Sequence, residues 1–329
     1  MKIAVIHDYA DALRNTAAYP KLKAAGHEVN IFNDAYLDPA RVVEQVKGHD
    51  VLLLTQQRVV ITAQILDQLP QLKFISQTGR NVSHLDVKAC TDLGILVSAG
   101  GHEGKSPYTV TGELAWALIL AALRHLPYEV EQMKQGHWHT TIGTRLNGNT
   151  LGIYSFGRIG SGVARVGRAF GMKVICWGRE GSLAKAREEG FEVAASREDF
   201  FERSDVISLH ILSNDATRGI ITAADLARMK PTSLLVNTSR APIIEDGALV
   251  AALKKGRPGF AAIDVFEEEP IVGANHPLLK MKNVLCTPHL GYVERSMIET
   301  LYGMAVDAIL GYAAGAPINV LNPELLAKK

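Results

Sequence analysis

The sequence predicts two α/β domains, each built on a doubly wound parallel sheet. Apolar runs alternate with helical patterns along nearly the whole chain, and repeated strand-then-helix order is typical of a parallel sheet. The alternation begins afresh at Leu151, which indicates a second sheet. A chain of 329 residues is also too long for a comfortable single core. These three observations together favour two domains.

The first predicted sheet begins at the N-terminus with the strand KIAVI. The strands HEVNIF, VLLL, LKFIS and ILVS follow, with helices at DPARVVEQVKG, TAQILDQL and LDVKACTDLG. The first of these helices carries its own end signals. Asp38 is a natural N-cap, Pro39 occupies the first helical position and Gly48 closes the helix.

The second predicted sheet begins with LGIY and continues through strands near KVICW, DVISLH, SLLVN, FAAID and NVLC. Its helices open at the caps Ser196, Thr222 and Asp246. Two long helical stretches, from Glu113 to Arg124 and from Glu294 to Leu310, are candidates for crossings between the domains.

The C-terminal tail INVLNPELL is too short to form a third domain, and we expect it to pack on the first. The first domain is therefore predicted to be discontinuous, with residues 1–103 and 292–329 flanking a second domain at 104–291. The glycine-rich, polar segment from Gly100 to Gly112 lies at the junction. It is either a hinge or a specificity loop.

The composition favours a small molecule as the binding partner of this protein. The chain has 35 basic and 34 acidic residues without a block of either sign, so no electrostatic footprint for nucleic acid or a membrane surface appears. The cysteines Cys90, Cys176 and Cys286 predict free buried thiols in a reducing compartment. The longest apolar run, Leu114 to Leu123, is about half of a membrane span, so we expect a cytoplasmic protein.

The stretch LGIYSFGRIGSGVARVGRAFG predicts a dinucleotide-binding turn between a strand and an amphipathic helix. Gly157 and Gly160 hold the second and third glycine places of the motif, and Ser155 stands in the first. Serine costs little there if its φ is negative, so we expect it to be tolerated. The residues expected to bind cofactor here are Ser155, Gly157, Arg158, Ile159 and Gly160.

The end of the next strand, CWGRE, bears on the choice between NAD and NADP. An acidic residue would bind the ribose of NAD, whereas a basic residue would accept the 2′-phosphate of NADP. Gly178 stands where the acid would fall and Arg179 follows, which favours NADP. Glu180 can neutralise this arginine or bind the ribose itself, and Arg179 can also be an ordinary surface arginine.

Three polar residues follow three strands of the second sheet: Arg240, Glu269 and His289. Ligands of an open α/β sheet bind outside the carboxyl ends of its strands. An arginine can hold a substrate carboxylate, a histidine can exchange a proton, and a carboxylate beside that histidine fixes its tautomer. Singly, each has a structural alternative: Arg240 can pair with Glu245, Glu269 can be solvated, and His289 can belong to the core. Together they favour hydride transfer to a 2-oxo acid.

At these residues the sequence resembles the D-isomer-specific 2-hydroxyacid dehydrogenase family, through SFGRIG, NTSRAPIIE, AIDVFEEEP and TPHLGY in the family's order. The resemblance implies that Arg240 binds substrate, that Glu269 partners the acid/base His289 and that Asp264 holds the nicotinamide amide. Further cofactor contacts are implied at Thr217, Thr238 and Gly291.

The resemblance covers essentially the whole chain and implies a Rossmann cofactor domain inserted in a flavodoxin-like substrate domain. In the latter, SQTGRNVSHLD is similar to the family's loop for the substrate carboxylate, which implies a site at Arg80 and Asn81. A homodimer formed through the cofactor domain, and closure of the domains over substrate, are also implied. Ser155, Leu212 in place of the usual proline and the segment from Gly100 to Gly112 depart from the family pattern.

The leading hypothesis is therefore an NAD(P)-dependent oxidoreductase, with a lean toward NADP, that interconverts a 2-oxo acid and a D-2-hydroxy acid. Candidate substrates are glyoxylate, hydroxypyruvate and 3-phosphoglycerate-like acids. The alternative is an NAD(P)H-sensing binding protein or a corepressor-like regulator on the same fold. His137 and His139 are too few for a metal site, and no metal is expected.

Overall fold

A computed structural model describes residues 1–100 and 109–327 of the chain. The chain forms two compact units, Met1–Ser106 with Val293–Lys329, and Pro107–Tyr292. Most of the segment from Gly100 to Gly112, for which a hinge and a specificity loop both stay open, lies outside the described residues.

The first unit holds a five-stranded parallel sheet in the order β2-β1-β3-β4-β5, which is the flavodoxin-like order. Together with the parallel sheet of the second unit, this sheet confirms the two parallel-sheet domains predicted from the sequence. The N-terminal elements of the first unit are β1 (Lys2–Ile6), α1 (Ala18–Ala24), β2 (Glu28–Ile31), α2 (Pro39–Val46), β3 (Val51–Leu54), α3 (Ala63–Leu66), β4 (Phe74–Gln77), α4 (Val87–Asp92) and β5 (Leu96–Ala99).

The second unit holds a seven-stranded parallel sheet in the order β12-β11-β10-β9-β6-β7-β8, with the strand order reversing between β6 and β9. The sequence analysis missed the two-residue strand β8. The elements are α5 (Thr109–Leu123), α6 (Leu126–Lys134), β6 (Thr150–Tyr154), α7 (Arg158–Ala169), β7 (Lys173–Trp177), α8 (Glu180–Glu188), β8 (Glu192–Val193), α9 (Arg197–Arg203), β9 (Val206–Leu209), α10 (Ala223–Arg228), β10 (Leu234–Asn237), α11 (Ala248–Lys254), β11 (Phe260–Ile263) and β12 (Val284–Cys286).

Most of the predicted helix caps are present. Asp38 accepts a hydrogen bond from the Ala40 amide at 2.9 Å, and Ser196 and Thr222 likewise cap α9 and α10 with their side chains. The cap predicted at Asp246 is wrong. Gly247, with a left-handed φ of +67°, is the residue that precedes α11, because glycine enters that conformation without the steric cost of a Cβ atom.

The helices suggested as crossings each lie within one unit. In the second unit, α5 packs on α7 and on strands β10 to β12. The chain then ends in the first unit with α12 (Arg295–Ala313), which packs against β4 and α1. The tail pairs with β5, where Asn322 accepts a hydrogen bond from the Val97 amide at 2.9 Å. None of the described helices has the length and apolar character needed to cross a membrane.

Candidate functional site

The carboxyl edge of the second sheet brings together the three predicted catalytic residues. Arg240 follows β10, Glu269 follows β11 and His289 follows β12, and these strands are neighbours in the sheet. Parallel strands place all their carboxyl ends at one edge, so residues far apart in the chain meet there.

Glu269 and His289 form a short hydrogen-bonded pair. The Nδ1 atom of His289 lies 2.6 Å from Oε2 of Glu269, and Oε1 of Glu269 accepts a hydrogen bond from the Phe266 amide at 2.8 Å. Burial opposes ionisation of Glu269, but the hydrogen bond and charge of His289 outweigh it and hold the pKa of Glu269 below its usual value. The carboxylate therefore orients the imidazole, and Nε2 is the ring atom left to exchange a proton.

Asp264 anchors the loop that carries His289. Its side chain is completely buried, and its oxygens accept hydrogen bonds from the Thr287 hydroxyl at 2.6 Å, the Leu290 amide at 2.7 Å and the Gly291 amide at 2.9 Å. Burial raises the pKa of Asp264, although these hydrogen bonds oppose the rise. The predicted contact between Asp264 and the nicotinamide amide stays a prediction, since the structure gives this carboxylate partners within the loop.

Arg240 is exposed at the same edge. Its guanidinium donates a hydrogen bond to its neighbour's carbonyl, Ser239 O, at 2.7 Å, and Asn237 fixes the local backbone by donating to Arg240 O at 3.0 Å. Arg240 and Glu245 form no ion pair; Glu245 instead accepts a hydrogen bond from the Ala223 amide at 2.8 Å. The hydrogen bond and charge of His289 lower the pKa of Glu269, and the positive charge of Arg240 adds to this effect.

The glycine turn between β6 and α7 has the features that a pyrophosphate requires. A Cβ atom on Gly157 would meet no heavy atom of the described residues within 4 Å, and Gly157, the N-cap of α7, has no side chain in front of the helix. A Cβ on Gly160 would lie 2.3 Å from the Ser155 carbonyl oxygen, so this position admits only glycine at its present backbone geometry. The amides at a helix N-terminus point outward along the helix axis and bind phosphate groups. The turn therefore fits a dinucleotide.

The negative φ that would make serine tolerable at position 155 does not occur. The φ of Ser155 is +76°, in the left-handed region, and not negative. The conformation is imposed by its neighbours, since the Ser155 amide donates to Trp177 O at 2.7 Å and its carbonyl packs under Gly160. The first place of the motif thus needs the backbone freedom of glycine, and serine is strained there.

Replacing Ser155 with glycine should raise the free energy of unfolding by about 1 kcal/mol, because the left-handed strain disappears. Thermal unfolding of the apo protein measures the change as a rise of a few degrees in Tm. Ser161, which lies inside α7, provides the control of opposite sign: Ser161→Gly should destabilise the helix by roughly 0.5 kcal/mol. A lower Tm for Ser155→Gly would show that the serine is not strained.

After the carboxyl end of β7 come Gly178, Arg179 and Glu180. Gly178 has a φ of +151°, which side chains rarely adopt, and Arg179 after it is exposed. Glu180 pairs with Arg187 at 2.6 Å and forms no ion pair with Arg179. Among the described residues, Arg179 makes no ion pair.

Three other predicted cofactor residues differ in their burial and in their hydrogen bonds. The Thr217 hydroxyl is engaged within its own turn, donating to Leu212 O at 2.7 Å and accepting from the Asn214 amide at 2.9 Å. Thr238 is buried, and its hydroxyl has no hydrogen-bond partner in the part of the chain that the structure describes. Gly291 is buried beside Asp264. Of the residues at the start of α7, Arg158 is exposed and Ile159 half-buried.

In the first unit, the predicted substrate residues Arg80 and Asn81 are exposed just after β4. Sequence reasoning missed a polar cluster at the same sheet edge. His7, after β1, is fully buried, and the Arg58 guanidinium, after β3, donates to its carbonyl oxygen. Burial, aided by the charge of Arg58, lowers the pKa of His7 to about 4, so this ring is neutral. The available signal was polar residues directly after two strands, HDY and QQR.

The Nδ1 atom of His137 lies 2.8 Å from Gln132 Oε1, a contact with a neighbouring side chain. Across residues 1–100 and 109–327, no cluster of three or more histidine, cysteine or acidic side chains suited to a metal ion occurs.

Comparisons with known proteins give one consistent family. A family model described as D-isomer specific 2-hydroxyacid dehydrogenase, NAD binding domain, matches residues 116–291. A glyoxylate reductase from Aeropyrum pernix is 38% identical over 279 residues, which is 81% of each chain. A D-3-phosphoglycerate dehydrogenase from Synechocystis is 34% identical over 89% of this chain and 53% of its own, so this chain spans about half of that relative. A crystal structure of a phosphoglycerate oxidoreductase from Vibrio cholerae is 44% identical, with a TM-score of 0.89 over 96% of this chain and 100% of that one.

Proposed function

Because the chain belongs to the D-isomer-specific 2-hydroxyacid dehydrogenase family and is an NAD(P)-dependent oxidoreductase of 2-hydroxy acids, we propose that Arg240, Glu269 and His289 carry its reaction. The observation that supports this most directly is the 2.6 Å hydrogen bond between His289 and Glu269. It lies at the carboxyl edge of the sheet whose β6–α7 turn fits the dinucleotide. The regulator alternative is not favoured by these relatives.

Each residue has one task in the proposed reaction. A nicotinamide dinucleotide held at the β6–α7 turn would supply the hydride, or accept it in the reverse direction. Arg240 holds the substrate carboxylate by charge-assisted hydrogen bonds and polarises the 2-oxo group. His289 donates its Nε2 proton to the oxygen of the nascent alkoxide, or takes that proton in the reverse direction. Glu269 stabilises the imidazolium and holds its orientation.

The substrate class we propose is small 2-oxo acids and their 2-hydroxy counterparts, with glyoxylate and hydroxypyruvate as 2-oxo acids and 3-phosphoglycerate as a 2-hydroxy acid. The names of the relatives, glyoxylate reductase and D-3-phosphoglycerate dehydrogenase, support glyoxylate and 3-phosphoglycerate among these acids. The test is oxidation of NADPH and NADH on addition of glyoxylate, hydroxypyruvate, 3-phosphohydroxypyruvate, pyruvate and phenylpyruvate in turn. Turnover with one of the first three supports the proposal. Tight cofactor binding without turnover of any acid would favour the NAD(P)H-sensing alternative.

We further propose that the enzyme prefers NADP, because Arg179 is exposed without an ion pair among the described residues while Glu180 is bound to Arg187. NADPH should therefore bind more tightly than NADH, and Arg179→Ala should remove the difference by weakening NADPH alone. Fluorescence titration of both nucleotides measures it, and 2′,5′-ADP as a competitor isolates the 2′-phosphate. Arg228→Ala is the matched control, since Arg228 is an exposed arginine that pairs with Glu202 at 2.7 Å, and it should leave NADPH binding close to that of the unmodified enzyme. Equal affinities in the unmodified enzyme would exclude the preference.

An exposed apolar surface of the second unit supports the proposal of a homodimer. Apolar side chains on α6 and the segment after it are highly exposed, with Tyr128 at 51%, Met133 at 58%, Trp138 at 74% and Ile142 at 94%. Monomeric proteins rarely leave such a group uncovered, and a second copy of the chain is the occupant that the family resemblance implies. The cytoplasmic location also stays a prediction.

A further inference from the structure

We propose that Thr111, on α5, is a positioning residue that holds the loop of His289 in its reactive conformation. The inference rests on the proposed role of His289 as the acid/base. It assigns a task to a side chain that lies neither on the strands nor on the loops of the catalytic group.

The hydroxyl of Thr111 closes a hydrogen-bonded clamp around Gly291. It donates to the Gly291 carbonyl oxygen at 2.8 Å, while the Gly291 amide donates to Oδ2 of Asp264 at 2.9 Å. A Cβ atom on Gly291 would lie 3.3 Å from that carboxylate oxygen and 3.4 Å from Cγ2 of Thr111. Gly291 therefore fits closely between the two side chains, with both of its backbone polar groups bound.

The loop needs such a clamp because His289 is held in a strained conformation. Its φ of +53° lies in the left-handed region, which is uncommon for a residue other than glycine. Strain of this kind persists only where several contacts impose it. Glu269 holds the imidazole, Asp264 binds the amides on the C-terminal side of His289, and Thr111 adds a contact from helix α5.

The position of Thr111 also ties this loop to the cofactor helix. Gly112, the next residue, packs on α7. A Cβ atom added to Gly112 would lie 3.5 Å from Cγ2 of Val163. The helix α7 begins at the glycine turn. The first turn of α5 thus contacts both the loop of the acid/base and the helix that binds the dinucleotide, so it sets the place of His289 relative to the cofactor.

Thr111→Val tests the inference, because valine keeps the shape of threonine and removes only the hydroxyl donor. We expect kcat to fall about tenfold, since small misplacements of a catalytic group cost this much or more, with the Kd of NADPH unchanged within about twofold. Amide hydrogen exchange at Leu290 and Gly291 in the apo enzyme should become faster by a similar factor. In Thr111→Ser, which keeps the hydroxyl, both kcat and the exchange rates should stay within about twofold of those of the unmodified enzyme.

Thr300 provides a matched control in the first unit, because its hydroxyl donates to Ser296 O at the same 2.8 Å. Thr300→Val should change neither kcat nor exchange at Leu290 and Gly291. The inference is overturned if Thr111→Val leaves kcat and exchange unaltered, or if Thr111→Ser is as impaired as the valine variant.

Failure of the inference can be told apart from failure of the proposed function. Exchange at Leu290 and Gly291 needs no substrate, so it reports on the clamp even if His289 proves not to be the acid/base. Should Thr111→Val fail to fold, Thr111→Ser compared with Thr111→Ala applies the same criterion to the hydroxyl.

Discussion

Replacing His289 with asparagine should lower turnover by roughly 10²- to 10⁴-fold while NADPH binding stays nearly unchanged. Asparagine cannot act as a general acid at neutral pH, yet it tolerates the left-handed backbone at this position, where φ is +53°. Steady-state kinetics with the best 2-oxo acid and fluorescence titration of NADPH measure the two effects separately. Asparagine is thus a sharper test than alanine, which would add backbone strain.

The pair of His276 and Glu267 offers a matched control for the pair of His289 and Glu269. The Nε2 atom of His276 lies 3.1 Å from Glu267 Oε2. Both residues lie in the segment between β11 and β12, outside the predicted catalytic group. His276→Asn should therefore leave turnover close to that of the unmodified enzyme. Normal turnover in His289→Asn, or a greater loss in His276→Asn, would show that the acid/base has been wrongly assigned.

Adding a single methyl group at two glycines of the cofactor turn should have two different effects. Gly157→Ala should fold with unchanged stability, because its Cβ meets no heavy atom within 4 Å, but should weaken NADPH binding by at least about tenfold. Gly160→Ala should instead destabilise the apo protein by about 1–3 kcal/mol, because its Cβ would lie 2.3 Å from a backbone oxygen of Ser155.

Thermal unfolding of the apo proteins, followed by titration with NADPH, separates these outcomes. Gly162→Ala is a useful control, since a Cβ there also meets nothing within 4 Å and the residue lies inside α7, beyond its first turn. It should retain cofactor affinity and gain slightly in stability from the better helix propensity of alanine. Unchanged NADPH binding in Gly157→Ala would mean that the pyrophosphate does not lie against this turn.

Much of the architecture could be predicted because its signals are local. The alternation of apolar strands with capped helices predicted both parallel sheets, and Ser196 and Thr222 cap helices as expected. The cap at Asp246 was wrong because an adjacent glycine with positive φ decides where α11 begins. The strand β8 was missed because two residues carry too little periodicity to be recognised.

The sequence by itself determined which polar groups follow which strands, and therefore that Arg240, Glu269 and His289 lie at one edge of a parallel sheet. That inference works because strand direction and side-chain chemistry are both readable along the chain. Only the tertiary structure decided the positive φ of Ser155, the burial of Asp264 beneath the loop of His289, and the hydrogen bond from Thr111 to Gly291. These depend on contacts between segments far apart in sequence, and packing at close range selects a backbone conformation that no local propensity specifies.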